Sequence, residues 1–282
     1  MKKNGAKAIV QIHHGGAQAL PELTPDGDVV APSAISLKSF GQQKEHDARE
    51  MTAEEIEQTI RDFGEATRRA IEAGFDGVEI HGANHYLIHQ FVSPYYNRRN
   101  DVWADNYKFP VAVIDEVVKA KKAHANDDFI IGYRLSPEEA ESPGISMEIT
   151  EELIHQIANK PLDYIHVSLM DVNSVTREGK YKGENRLELI HQWINGRMPL
   201  IGIGSVFTAE DALNAVENIG VEFVALGREI LLDYDFVAKI KEGREEEIIN
   251  AFDPNREDQH YLTPNLWEQF NQGFYPLPRK DK

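Results

Sequence analysis

Residues 74–94 read GFDGVEIHGANHYLIHQFVSP, and the change of pattern within this stretch decides the fold that the chain predicts. Residues 77–80 alternate as a β-strand does, and the apolar positions of residues 87–91 are typical of an amphipathic helix. A polar cluster lies between them: His81, Asn84, His85 and Tyr86. In α/β proteins the ligand-binding edge is where strands end and helices begin. We therefore predict a ligand site at this cluster.

Five further short apolar runs are each bounded by turn residues and separated by helical periodicity. The predicted strands cover residues 6–14, 77–82, 129–136, 163–170, 199–205 and 222–229, and the clearest helices cover residues 52–74, 111–123 and 208–220. Alternating units of this kind imply a parallel sheet covered by helices. We predict an α/β fold with about six βα units in a single domain over residues 1–282; in a (β/α)8 TIM barrel, which closes with eight units, two units would then be absent.

The first five residues, MKKNG, have the basic residues and the glycine of a helix end. One interpretation is that the chain starts at the end of a helix and lacks the first two units of an eight-unit barrel. The alternative is a frayed, basic terminus before a true first strand.

Composition limits the classes of partner. A formal net charge of −17 disfavours nucleic acid and anionic membranes, and no apolar run approaches the length of a membrane span. The absence of cysteine excludes disulfides, thiolate nucleophiles and iron–sulfur clusters. We expect a cytoplasmic enzyme whose redox or covalent chemistry uses a bound cofactor or oxygen and nitrogen side chains.

Three residues of the opening stretch suggest catalysis. His81 and Asn84 can each donate a hydrogen bond to one carbonyl or nitro oxygen, and the hydroxyl of Tyr86 can deliver a proton. The alternative is a buried histidine with its hydrogen bonds satisfied, an asparagine that caps the next helix, and a tyrosine packed at the rim.

Two polar side chains within predicted strands suggest a cofactor. Arg134 is costly to bury without an electron-rich partner, which is either a cofactor or an internal carboxylate such as Glu79. Gln11 can read the edge of a heterocycle with its amide. The neighbouring His13 and His14 point to opposite faces of a strand, so we predict no metal site there.

Two glycine turns end consecutive predicted strands near the end of the chain. Gly204 and Ser205 close one strand, and Gly227 and Arg228 close the next. Backbone N–H groups beside a cation bind phosphate, and the last two loops of a barrel are a usual place for it. The alternative is two tight turns and a surface arginine.

Motifs along nearly the whole chain resemble the Old Yellow Enzyme family of FMN-dependent ene-reductases, also called NADH:flavin oxidoreductases. They are QIHHGG, APSAI, GFDGVEIHGANHYLIHQFVSPYYNRRND, YRLSPEE, GIGSVFTAEDAL and FVALGREILLDYDF. The chain departs from common family patterns at Ala17 (often Arg), at His85 (often Gly) and at residues 103–105 (often Tyr-Gly-Gly).

The resemblance implies an FMN-binding barrel that keeps strands 3 to 8 of the family. It assigns the flavin ring to Gln11 and Arg134, and assigns the flavin phosphate to a second group: Gly204, Ser205, Gly227 and Arg228. It gives His81 and Asn84 the activating oxygen of the substrate and gives Tyr86 the role of proton donor.

In this scheme NAD(P)H reduces tightly but non-covalently bound FMN, and hydride then passes to an α,β-unsaturated carbonyl or nitro compound. A homo-oligomer is compatible with it. Two alternatives remain: a non-catalytic, truncated barrel remnant, and a flavin-free barrel aldolase or isomerase that uses the same phosphate turns. The second lacks an obvious Schiff-base lysine at a strand end.

Overall fold

A computed structural model of the protein describes residues 2–40, 44–260 and 262–280. Its strands are β1 (Ile9–Ile12), β2 (Val30–Ala31), β3 (Ile35–Leu37), β4 (His46–Glu50), β5 (Gly77–Gly82), β6 (Ile130–Leu135), β7 (Tyr164–Val167), β8 (Leu200–Ile203) and β9 (Phe223–Ala225). Its α-helices are α1 (Ala53–Glu72), α2 (Leu87–Val92), α3 (Lys108–His124), α4 (Met147–Ile157), α5 (Arg186–Ile194), α6 (Ala209–Asn214), α7 (Arg228–Leu232), α8 (Phe236–Lys241) and α9 (Pro264–Asn271). Short 3-10 turns and a π-helical turn, Ala215–Ile219, complete the secondary structure.

The chain forms two compact units. Unit 1 comprises Met1–Ser168 and Val175–Leu200, and unit 2 comprises Leu169–Ser174 and Ile201–Lys282. The expectation of a single domain over residues 1–282 stays a prediction. No helix within the described ranges combines the length and the apolar character needed to cross a membrane.

Unit 1 contains a parallel sheet with the strand order β1, β5, β6, β7. The β-branched residues Val78, Ile80 and Ile131 are completely buried, as is typical of parallel strands covered by helices. Because side chains alternate along a strand, Glu79 and His81 of β5 share the opposite face. The predicted parallel α/β architecture is confirmed.

Helix α1 follows the capping pattern that the sequence predicts. Thr52 accepts a hydrogen bond from the backbone of Glu55, whose side chain accepts in return from the backbone of Thr52. The stripe that contains Ile56 and Phe63 is buried, and α1 packs against α3. This packing covers one side of the unit 1 sheet and leaves the carboxyl ends of its strands to the loops.

A small second sheet in unit 1 is absent from the predicted elements. β4 pairs in parallel with β2 and antiparallel with β3. These strands have two to five residues: β4 reads HDARE and has no apolar alternation, and the alternation of β3, ISL, is too short to predict a strand. They pack around Ala31, Ala48 and Tyr96, which are buried together.

In unit 2, β8 pairs in parallel with β9 through Ile201 and Phe223. Thr208 and Asp211 form a capping box at the start of α6. The helix continues through the π-helical turn to Gly220, whose φ of 89° ends it. A separate core forms around Leu232, Phe252 and Phe270.

Five of the predicted strands are too long. Residues 6–14, 129–136, 163–170, 199–205 and 222–229 contain the shorter strands β1, β6, β7, β8 and β9 respectively. The last range also includes the first two residues of α7, Arg228 and Glu229. At their carboxyl ends the chain leaves the hydrogen-bonded ladder to build loops, as the 3-10 turn Gly16–Gln18 does after β1. β5 matches residues 77–82 to the residue, and α3 starts three residues earlier than predicted.

Candidate active site

A buried carboxylate in the unit 1 sheet organises the polar face of its strands. Glu79 accepts hydrogen bonds from Gln11 Nε2 at 2.6 Å and from the hydroxyl of Tyr164 at 3.0 Å, and its Oε2 lies 3.0 Å from His166 Nδ1. Burial alone would raise the pKa of Glu79, but His166, Gln11 and Tyr164 hold this pKa at about 2. Glu79 is therefore a charged acceptor that fixes three neighbours.

A glycine makes this arrangement possible. Gly132 lies in register between Glu79 and Tyr164 on the neighbouring strands. A Cβ atom at Gly132 would overlap the ring and the hydroxyl of Tyr164. The missing side chain therefore lets the tyrosine ring cross β6 and reach Glu79.

The next layer toward the carboxyl ends of the strands consists of His81, Arg134 and His166, which are direct register partners. His81 Nδ1, Arg134 Nε and His166 Nε2 are buried without a hydrogen-bond partner. Buried polar atoms in native proteins nearly always have partners, so three orphans in one layer indicate a place for a polar ligand.

Arg134 is not paired with Glu79. Its Nη2 donates to Ser168 Oγ at 3.0 Å, and within the described residues no carboxylate forms an ion pair with it. Burial lowers the pKa of Arg134, while the nearby charge of Glu79 opposes that effect. The interpretation of Arg134 as the partner of Glu79 in an internal ion pair is therefore wrong. The interpretation of Arg134 as a cofactor ligand remains.

Asn84 is held away from the helix that follows it. Its backbone is left-handed, with φ of 57°, and its N–H donates to Ser136 Oγ at 3.0 Å. Its Nδ2 donates to Ser168 Oγ at 3.1 Å, so one hydroxyl connects Asn84 with Arg134. The N-cap of α2 is Tyr86, so the alternative in which Asn84 caps that helix is wrong.

Tyr86 lies beside two imidazoles. Its ring centroid is 5.2 Å from that of His81 and 5.0 Å from that of His13. Burial and then the charge of Arg134 lower the pKa of His81 to about 4. His81 is therefore neutral near pH 7 and has one N–H to donate beside the Tyr86 ring.

The predicted phosphate residues form a group within unit 2. Arg228 Nη2 donates to Ser205 Oγ at 3.1 Å and to the carbonyl of Met170 at 3.0 Å, and its Nη1 donates to the carbonyl of Pro276 at 2.7 Å. Carbonyls hold the guanidinium in place without neutralising it, because no carboxylate in the described part of the chain pairs with it. The arrangement leaves a fixed positive charge beside a hydroxyl.

Gly204 brings the loop around this group close to another backbone segment. Its φ is 132°, and a Cβ atom there would meet the backbone of Asp171 at 2.5 Å. The carbonyl of Gly204 accepts from the N–H of Val172 at 3.1 Å. Gly227, the N-cap of α7, places Arg228 at the first position of that helix.

Comparison with known proteins identifies the family. The model of the NADH:flavin oxidoreductase / NADH oxidase family matches residues 1–247. The chain belongs to this family of flavin oxidoreductases.

Two relatives show the extent of the likeness. The probable NADH-dependent flavin oxidoreductase YqiG of Bacillus subtilis (strain 168) is 48% identical over 98% of this chain and 74% of its own length. The NADH:fumarate oxidoreductase of Klebsiella pneumoniae (strain 342) is 39% identical over 95% of this chain, which spans only 29% of that protein.

Solved structures agree on the fold. Histamine dehydrogenase from Rhizobium sp. 4-9 aligns with a TM-score of 0.72 and 25% identity over 88% of this chain and 36% of its own. Morphinone reductase aligns with a TM-score of 0.68 and 24% identity over 85% of this chain and 67% of its own. The structures that the chain matches include barrels of the Old Yellow Enzyme type, so the predicted fold class is confirmed.

The residues of unit 1 fit the flavin that the family implies. A flavin ring presents acceptor oxygens and nitrogens at its pyrimidine edge, and the orphaned Arg134 Nε lies among donors that suit such acceptors. In unit 2, the hydroxyl of Ser205 and the cation of Arg228 suit a phosphate. The residues around Arg134 therefore suit the flavin ring, and Ser205 and Arg228 suit the phosphate of FMN.

Several residues that organise the site were not predicted from the sequence. Glu79 was expected only as a possible partner of Arg134, and no role was expected for four others: Gly132, Tyr164, His166 and Ser168. The signal was period-two spacing: Glu79 and His81 alternate on β5, as His166 and Ser168 do on β7 and just beyond it. Only the register between strands shows which of these alternating residues meet.

Proposed function

We propose that the protein is an FMN-dependent oxidoreductase that uses NAD(P)H and reduces electron-poor C=C bonds of α,β-unsaturated carbonyl or nitro compounds. Family membership supports the flavin and the nicotinamide reductant. The observation that carries the proposal is the layer of His81, Arg134 and His166, which has three buried nitrogens without partners and in which His81 lies beside the ring of Tyr86.

The chain's own residues divide into two binding tasks. Arg134 and Gln11 would hold the flavin ring, with Glu79 fixing the amide of Gln11. Ser205 and Arg228, placed by Gly204 and Gly227, would hold the phosphate. When bound, FMN supplies the hydride that no side chain of this protein can supply.

The substrate roles fall to the loop between β5 and α2. Neutral His81 donates to the activating oxygen, and Asn84, held through Ser168, donates a second hydrogen bond to it. Tyr86 gives a proton to the α-carbon of the C=C bond, next to the β-carbon that accepts the hydride. Two donors on one oxygen stabilise the negative charge that develops there during reduction.

The reductant, the substrate class and the cellular location are also proposals. The Bacillus relative is named for NADH, which supports NADH as one reductant. The Klebsiella relative is named for fumarate, but this chain spans 29% of that protein, so we do not assign fumarate. We propose a small-molecule substrate, non-covalent FMN and a cytoplasmic location.

The binding of FMN and of riboflavin, which lacks the phosphate, tests the proposal. We expect the full chain to bind FMN more tightly than riboflavin in equilibrium dialysis. Arg228→Ala should reduce that preference, because it removes the fixed cation beside Ser205. The matched control is Arg256→Ala, which removes an exposed arginine of unit 2 that pairs with Asp258. If folded wild-type chain binds neither flavin, the proposal is wrong and a non-catalytic remnant becomes the better reading.

A further inference from the structure

Three potential metal ligands meet in unit 1 and have no part in the flavin or substrate roles. They are His85, His89 and Glu139, and one donor atom from each lies within 4.8 Å of the other two. Glu139 Oε2 lies 2.7 Å from His89 Nε2 and 3.7 Å from His85 Nδ1. The two histidines are four residues apart in the sequence.

The carboxylate is deeply buried and its two oxygens have different surroundings. The side chains of Glu139 and His89 are 0% and 1% exposed. Oε1 accepts from Ser93 Oγ and, at 2.8 Å, from the backbone N–H of Ile145. These donors fix Oε1, so Oε2 is the atom that faces both imidazoles.

His85 supplies an unsatisfied nitrogen and a route to solvent. Its Nδ1 is buried without a hydrogen-bond partner, whereas its side chain as a whole is 24% exposed. A buried nitrogen without a partner is costly, and a metal ion would satisfy it. The exposed part of the ring leaves a path by which an ion can enter.

The charge around the cluster favours a cation. Glu141 Oε2 is a second buried carboxylate oxygen without a hydrogen-bond partner, and its charge acts on His85. Two carboxylates therefore surround two imidazoles. Among the described residues, no arginine or lysine forms an ion pair with the carboxylate of Glu139 or Glu141; Arg177 donates only to the backbone carbonyl of Glu139 and pairs with Glu138.

The backbone conformation of His85 is strained. Its φ is 60°, and the preceding Asn84 is also left-handed. Glycine adopts this conformation readily, whereas histidine there is strained. Strained residues persist where their surroundings over-determine them, often at ligand sites.

We propose that His85, His89 and Glu139 bind a divalent cation of the Zn²⁺ type, which fixes the loop that carries Asn84 and Tyr86. Two imidazoles and one carboxylate are a zinc donor set that leaves a fourth position for water. Ligands on a tetrahedral zinc lie about 3.4 Å apart, given bonds of about 2.1 Å. The separations of 2.7 Å and 3.7 Å lie on either side of that value and the two imidazole donors lie within 4.8 Å of each other, so side-chain movements of about an ångström complete the site.

Zinc binding by wild type and by His85→Gly tests the inference. Glycine suits the left-handed backbone at this position, so this variant should keep its fold while it loses one ligand. Both proteins are first stripped of metal with a chelator, which is then removed. In equilibrium dialysis against Zn²⁺, we expect wild type to bind one more Zn²⁺ per chain than His85→Gly. The affinity for that ion should fall at least about tenfold in the variant, because even the loss of a partner outside the coordination sphere has an effect of that size.

His124→Gln is the matched control, because it removes an exposed histidine at the end of α3, far along the chain from the cluster. It should bind as much Zn²⁺ as wild type. Co²⁺ added to wild type, but not Co²⁺ added to His85→Gly, should give the visible absorption bands of a four- or five-coordinate ion. Equal amounts of Zn²⁺ bound by wild type and His85→Gly, or no such bands with Co²⁺, would overturn the inference. His89 and Glu139 would then be a hydrogen-bonded pair without a metal.

Discussion

His81 shows how the site controls protonation at the scale of one residue. Burial is the largest cause of its low pKa, followed by the charges of Arg134 and His13; Glu79 acts in the opposite direction and His166 in the same one. The folded protein therefore holds His81 neutral down to a pH of about 4. Its role as a neutral hydrogen-bond donor does not change across the physiological range.

This low pKa predicts a loss of stability in acid. Between pH 6.5 and about 4 the unfolded chain protonates His81 while the folded chain does not. Since the unfolded state then binds more protons, the free energy of unfolding falls as the pH falls through this window. Urea unfolding at several pH values measures it, and His81→Asn should show a shallower fall than wild type.

Other buried histidines complicate the absolute curve. Burial also lowers the pKa of His14 and of His260, so they add a fall of the same sign. The difference between variants isolates His81. His124→Asn, which changes an exposed histidine, should follow wild type; parallel curves for His81→Asn and wild type would contradict the low pKa.

Tyr86 is the residue whose role is easiest to separate from flavin binding. Tyr86→Phe keeps the ring beside His81 and His13 but removes the proton. We expect alkene reduction to slow by roughly 10²- to 10⁴-fold, the usual contribution of a general acid. Reduction of the bound flavin by NAD(P)H should change little. Anaerobic stopped-flow measurement of the two half-reactions checks this, and equal losses in both would count against the proton-donor role.

At the scale of elements, the crossing of Tyr164 over β6 predicts an intolerant glycine. Gly132→Ala should destabilise the protein by about 1–3 kcal/mol, because the new methyl group displaces the tyrosine ring from a packed site. Alanine in a strand would otherwise stabilise slightly relative to glycine. Denaturant unfolding measures the change in free energy.

The same substitution in a Tyr164→Ala background is its control. Without the ring, the three atoms that lie nearest to the methyl group are gone, so Gly132→Ala should then have little cost. The two substitutions should be non-additive by more than about 0.5 kcal/mol, as expected of residues in contact. Additive effects would mean that the overlap does not determine the cost.

The elements also show what the sequence could predict. β5 and α1 follow from local signals, because strand alternation and a capping box are properties of neighbouring residues. The small sheet of β2, β3 and β4 could not be predicted, since its strands are short and gain their stability from packing around Tyr96. The extra length predicted for β7 arose because the apolar residues Leu169 and Met170 continue into the loop that follows it, whereas the prediction for β1 started three residues too early, at Ala6.

The candidate site divides in the same way. His81, Asn84, Tyr86 and Arg134 were predicted from residue type and position, and unit 1 brings them into one hydrogen-bonded and aromatic group. The partner of Arg134 could not be predicted, because it depends on strand register and on Ser168, a residue with no motif. The pairing of His85 and His89 with Glu139 depends on a contact between residues 50 positions apart.

At the scale of the whole molecule, the central claim is that this chain carries out flavin chemistry driven by a nicotinamide. One anaerobic titration tests it most directly: FMN-loaded chain receives NADH or NADPH, and then an α,β-unsaturated ketone. We predict that the flavin absorbance disappears with the nucleotide and returns with the ketone, at one ketone reduced per flavin. A folded, FMN-loaded chain whose flavin is not reduced by either nucleotide would contradict the account.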